Sequence, residues 1–192
     1  MAYRPKYRTL YLSGKLVERA EHLVRRLESC DICPQNCRVN RLENETGFCK
    51  TGRLPIVSSY NLHFGEEPPI SGHRGSGTIF FAHCNLSCVF CQNYTISQRG
   101  EGTEVSIEQL AKMMLSLQES GAHNINFVSP THVVPQIVEA LVLAAKKGLE
   151  IPLVYNSGGY DSRATLQSLE DIIDKRIANS KFSWRKLLKR WL

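Results

Sequence analysis

No apolar run in this sequence approaches the roughly 18 residues that would suggest a membrane span. The opening MAYRPKYRTLYLSGK lacks the continuous apolar stretch of a secretory signal. It also has no acidic residue, a faint likeness to a transit peptide that sparse serine and weak amphipathic patterning do not support. Charge of one sign is short over most of the chain. The net charge is +6, but Lys181, Arg185, Lys186, Lys189 and Arg190 crowd into the last dozen residues, and the remainder is close to neutral. RNA- and DNA-binding motifs are absent, so nucleic acid is not an expected partner. A charged fraction of 22% beside 42% hydrophobic residues excludes wholesale disorder. The 192 residues suit one domain, or one domain with an appendage.

Cysteine, by contrast, is plentiful: seven residues in two groups, Cys30, Cys33, Cys37 and Cys49, then Cys84, Cys88 and Cys91. With no secretion signal, a reducing, cytoplasmic compartment is expected, where disulfides are disfavoured and clustered thiols are metal ligands. The odd total also argues against full pairing.

Hydrophobic periodicity divides the chain into three parts. In residues 1–75, Leu16, Val17, Ala20, Leu23, Val24 and Leu27 predict an amphipathic helix over 14–29, with Ser13 as its N-cap. The first cysteine group follows. Residues 54–77, rich in Pro, Gly and Ser, read as ordered loop. In residues 76–174, strands at 78–82, 124–128 and 151–155 alternate with helices at 106–121, 133–147 and 162 to about 173. Three βα units imply a parallel sheet with its chemistry beyond the strand C-termini, but too few to close a barrel of about 250 residues. The expected fold is therefore α/β, a partial TIM-like barrel with a cysteine-rich N-terminal segment.

The spacing Cys84-x3-Cys88-x2-Cys91 wraps three thiolates in one tight loop after a strand, with Phe90 just before the last ligand. Thiolates suit iron–sulfur clusters and zinc. A cubane held by three of them keeps one iron open, whereas zinc usually shows paired Cys-x2-Cys knuckles, and within this motif only the Cys88–Cys91 half fits that. Cys30-x2-Cys33-x3-Cys37-x11-Cys49 offers four thiolates, enough to close a structural zinc site or to hold a second [4Fe–4S] cluster. His63, Glu66, Glu67 and His73 read as solvated loop residues.

GTIFFAHCNLSCVFCQNYTISQ resembles the core of radical S-adenosylmethionine (SAM) proteins related to pyruvate formate-lyase-activating enzyme. CDICPQNCRVNRLENETGFCKTG and FGEEPPISGHRGSGTIFF resemble that family's N-terminal region, and NINFVSPTHVVPQI and PLVYNSGGYDS its second and third barrel strands. The resemblance implies an iron-dependent oxidoreductase with a [4Fe–4S] cluster on Cys84, Cys88 and Cys91. It implies reductive cleavage of SAM to a 5′-deoxyadenosyl radical for hydrogen abstraction, with a protein glycine as one substrate class. It also implies an electron donor such as a flavodoxin or ferredoxin. By position, Thr131 and His132 stand where the superfamily meets the SAM amino group, and Asn156, Ser157 and Gly158 where it contacts SAM again.

The resemblance stops near Asp174. The tail, 175–192, places Trp184, Leu187, Leu188 and Trp191 on one face of a basic amphipathic helix. It reads as the read-through end of a truncated gene, or as a lid over exposed core, rather than as a membrane anchor. Truncation after three strands predicts weak or absent SAM cleavage. The alternative function is a non-catalytic metal-binding remnant or interaction module.

Overall fold

The computed structural model describes residues 3–178. The helical part of the expected tail lies outside them.

The N-terminal part opens with α1 (Lys6–Leu12) and α2 (Lys15–Arg25). The first is an element that the periodicity does not reveal. Ser13 therefore ends α1, its hydroxyl donating to Leu10 O, and α2 starts from Gly14 in the left-handed region (φ 78°). Leu16, Ala20 and Leu23 still form the buried stripe of α2, continued by Leu27 in the turn after it, each full burial of a large side chain contributing about 1.5–3 kcal/mol.

Residues 54–77 are not all loop. Ile56–His63 forms β1 and Pro68–Ser71 a single helical turn, α3. Only Val57 of β1 is buried, so its sequence shows no run of core residues, and Pro and Gly around it mask the strand. β1 pairs antiparallel with β2 (Ser76–Phe81), and the short β3 (Thr103–Glu104) pairs antiparallel with the outer side of β1. Gly77 lets β2 approach its neighbour: a Cβ there would stand 2.8 Å from Asn124 O.

Beyond β2 the order is α4 (Tyr94–Ser97), β3, α5 (Ile107–Glu119), β4 (Ile125–Val128), α6 (Val134–Lys146), β5 (Leu153–Ser157), α7 (Arg163–Ser168) and β6 (Lys175–Ala178). Ser106 and Gln109 form the expected capping box of α5. β2, β4, β5 and β6 run parallel, giving a six-stranded sheet in the order β3-β1-β2-β4-β5-β6. Two expectations are corrected here. A fourth parallel strand follows Asp174, where the tail was expected to begin. Its residues Lys175 and Arg176 are exposed, so it carries no apolar signature. And among the described residues the sheet is open, extended on one side by antiparallel strands, rather than a simple arc of βα units.

Period-two alternation sorts the sheet. Ile79, Phe81, Ile125, Phe127, Leu153 and Tyr155 join the main core with the inner faces of α5 and α6. α6 is buried on nearly every side because α2 and α5 both pack against it. Thr78, Asn126, Val154 and Asn156 take the opposite face of the sheet. There Asn126 is fully buried, and among the described residues neither of its side-chain polar atoms has a partner.

Candidate functional site

Phe80, Val128 and Asn156 are in register across β2, β4 and β5, so these strands finish level with one another. Three loops leave that edge. The first carries Cys84, Cys88 and Cys91; the second Thr131 and His132; the third Ser157, Gly158 and Asp161.

The cysteine loop is built from its backbone. His83 (φ 63°) and Ser87 (φ 50°) take left-handed conformations that fold the chain tightly around Cys84. Cys91 N donates to Cys88 O at 3.1 Å, and Gln98 Nε2 holds the same carbonyl at 2.7 Å. Ser97 Oγ donates to Cys91 Sγ at 3.1 Å. Burial raises the Cys84 thiol above its ordinary range, and the neighbouring Cys88 and Cys91 raise it further. Three mutually repelling thiolates lower their energy by sharing a cation. Beside them lies a cavity of about 280 Å³ bordered by Cys84, Ser87, Ser97, His83, Cys49 and Lys50.

The third loop reveals a residue that the sequence did not single out. The Asp161 carboxylate accepts from Thr131 Oγ1 (2.6 Å), Tyr155 Oη (2.8 Å) and Ser157 Oγ (2.7 Å). One acid thus fixes the ends of β4 and β5 to each other. Burial, with Asp161 beside it, pushes the Tyr155 phenol well up, so it stays a donor. Gly158 packs against the cysteine loop itself: a Cβ there would lie 2.5 Å from Leu86 Cδ1.

His132 is wholly buried and turned the other way. Its ring nitrogen Nε2 meets Ala82 O at 3.0 Å, and burial drives its pKa down to about 3, so the ring is neutral. It borders a small cavity with Cys30, Cys33, Cys37, Cys49 and Arg41. The two cysteine groups are therefore adjacent. Gln35, between Cys33 and Cys37, donates Nε2 to Asn85 O at 2.9 Å, and Asn85 in turn donates to Tyr160 O at 2.7 Å. Nothing in the sequence pattern announces Arg41, Asp161 or the Gln35–Asn85 contact, because each depends on chain segments far apart.

His63, the last residue of β1, and Glu66 stand 3.5 Å apart, and His63 pairs with Ser76 at the opposite end of β2 from Cys84. All seven cysteines are free. Among the described residues no three of Cys, His, Asp and Glu are drawn in to the spacing of a bound ion, and no helix is long and apolar enough to cross a membrane.

The radical SAM superfamily model matches residues 78–188, which include the cysteine loop and the ends of β4 and β5. Two curated relatives come from Methanocaldococcus jannaschii. The uncharacterized protein MJ0674 is 32% identical over 164 residues, covering 81% of this chain and 46% of the relative. The uncharacterized protein MJ0808 is 23% identical over 181 residues, covering 85% of this chain and 53% of the relative. The chain spans about half the length of these relatives. No solved structure matches.

Proposed function

Because the chain belongs to the radical SAM superfamily, we propose that Cys84, Cys88 and Cys91 hold a [4Fe–4S] cluster and that SAM lies across the ends of β2, β4 and β5. The donor set fits. Three thiols leave one loop, Cys84 bordering a cavity of about 280 Å³, and Ser97 donates a hydrogen bond to the Cys91 sulfur, a contact of the kind that tunes cluster potential. Cys84, Cys88 and Cys91 would hold the cluster there, and its chemistry would be one-electron reduction of the SAM sulfonium ahead of hydrogen abstraction.

The protein's own part is placement. Asp161 orients Thr131 and Ser157 toward one another at the strand ends, and Gly158 leaves the space that Leu86 of the cysteine loop fills. Asn126 keeps unpartnered polar atoms on the sheet face away from the helices, where an amide could meet a polar ligand. A buried amide left unmatched costs about 1–3 kcal/mol, which favours a ligand on that face. Hydrogen abstraction from a protein glycine, with an electron donor of the flavodoxin or ferredoxin class, is the finer reading. It rests on the resemblance of the segments around Cys84. Free thiols in both groups suit the cytoplasm.

The observation that carries this reading is the three-thiol loop at the C-terminal end of β2. The test is 5′-deoxyadenosine production by anaerobically reconstituted 1–192 protein under strong reductant. Formation of this product that disappears in Cys84→Ala supports the enzyme. Its absence from protein with a full cluster supports a non-catalytic metal-binding role for these residues.

A further inference from the structure

Arg41 is 1% exposed, yet among the described residues no acid neutralises it. Its Nε donates to Gly52 O at 3.1 Å and its Nη1 to His132 O at 2.8 Å, while Nη2 has no partner. Among the described residues no carboxylate stands within ion-pair distance of it. A guanidinium keeps its charge at any ordinary pH, and a buried charge without a counter-charge is strongly unfavourable. A group able to become an anion does lie beside it: Nη1 lies 3.8 Å from Cys30 Sγ. Cys30, Cys33, Cys37 and Cys49 border the same small cavity as Arg41.

The geometry points to a structural metal centre here: one thiolate-preferring divalent ion of the zinc class, held by Cys30, Cys33, Cys37 and Cys49, with Arg41 as its buried counter-charge. The backbone is arranged for sulfur ligands. Phe48 N lies 3.4 Å from Cys37 Sγ and donates to it. Asn36 and Arg38 flank Cys37 in left-handed conformations, and Lys50 follows Cys49 in another. Asn36 N to Cys33 O and Lys50 N to Gly47 O close tight turns at 3.0 Å each. Gly47 is required beside Cys37, since a Cβ there would fall 2.7 Å from its sulfur.

The present cavity suits a single ion. The space among these four thiols is about 10 Å³, against about 280 Å³ beside Cys84. Ten cubic ångströms is room for about one water-sized body. The thiols share a wall without yet standing at ion-binding distances, so binding includes their turning inward. The balance is simple: four thiols lose four protons, and the dication with four thiolates carries two negative charges. Arg41 offsets one of them. The centre is independent of the cluster reading and would anchor the segment that Gln35 joins to the other cysteine loop.

The test uses 1–192 protein carrying Cys84→Ala, Cys88→Ala and Cys91→Ala, so that any cluster in the other loop is gone. Metal analysis is expected to find about one zinc per chain, lost on adding Cys33→Ser and Cys37→Ser. Several irons per chain with no zinc would overturn the single-ion assignment, and a folded triple variant without metal would overturn the site. Should the five-residue variant fail to fold, cobalt(II) titration of metal-stripped triple variant decides. Tetrahedral thiolate absorption saturating at one equivalent supports the site, and its absence contradicts it. Arg41→Met is expected to weaken zinc retention against a chelator by roughly 10–100-fold, with Arg41→Lys recovering part of the loss. Equal retention in Arg41→Met and the parent would overturn the counter-charge role.

Discussion

Arg41 donates Nη1 to the carbonyl of His132 at 2.8 Å. Through that bond the N-terminal cysteine segment is fastened to the loop after β4. The His132 ring then meets Ala82 O, two residues before Cys84. A single path of contacts thus runs from Cys30 to Cys84, across the point where the sequence suggested a division between an N-terminal segment and a core.

Asp161→Asn should disturb this site without removing the cysteine loop. The carboxylate accepts from three hydroxyls, and an amide can accept through only one of its two terminal atoms. The variant is expected to lose about 1–3 kcal/mol of stability and to bind SAM more weakly while keeping its iron. Denaturant unfolding, iron analysis and a SAM binding isotherm check this together. Unchanged SAM affinity in a folded variant would show that the strand-end hydroxyls do not position the ligand.

Gly158→Val tests the contact between the third loop and the cysteine loop. A Cβ already meets Leu86 Cδ1 at 2.5 Å, and the branched side chain must push Leu86 aside. Overpacking of this kind costs typically about 1–3 kcal/mol. The expected result is lower iron incorporation per folded chain, restored in part by Leu86→Ala in the same protein. If Gly158→Val takes up iron like the parent, the two loops are not coupled through this contact.

His132 gives a pH signature. Its pKa is depressed to about 3, first by burial and then by Arg41, while an unfolded histidine titrates near 6.5. Between these values the unfolded chain binds the extra proton, so stability falls as pH drops from about 6.5 toward 3. One proton corresponds to about 1.4 kcal/mol per pH unit. His132→Gln, whose amide can still donate to Ala82 O, should flatten the acid limb of a stability–pH curve relative to the parent. Identical limbs would contradict the buried, neutral ring.

The elements most legible in the sequence were those whose apolar period matches their burial. α5 and α6 are of this kind, as are the strands containing Ile79, Ile125 and Leu153. β1 and β6 were not legible, because exposed edge and near-edge strands bury too few residues to mark themselves. The cysteine groups were visible as spacing alone, since ligands to one centre must lie close in a loop. Arg41, Asp161 and Asn126 were hidden for the opposite reason: one charged or amide residue carries no period, and its meaning comes from neighbours distant in sequence.

The central claim is that Cys84, Cys88 and Cys91 present a cluster with one iron open to SAM. Electron paramagnetic resonance of reconstituted, dithionite-reduced Cys33→Ser/Cys37→Ser protein tests it most directly, since the other cysteine group is then disabled. A reduced [4Fe–4S] signal whose g values shift on adding SAM, and which vanishes with Cys88→Ala, is the predicted result. A signal insensitive to SAM, or one that survives loss of all three cysteines, would contradict it.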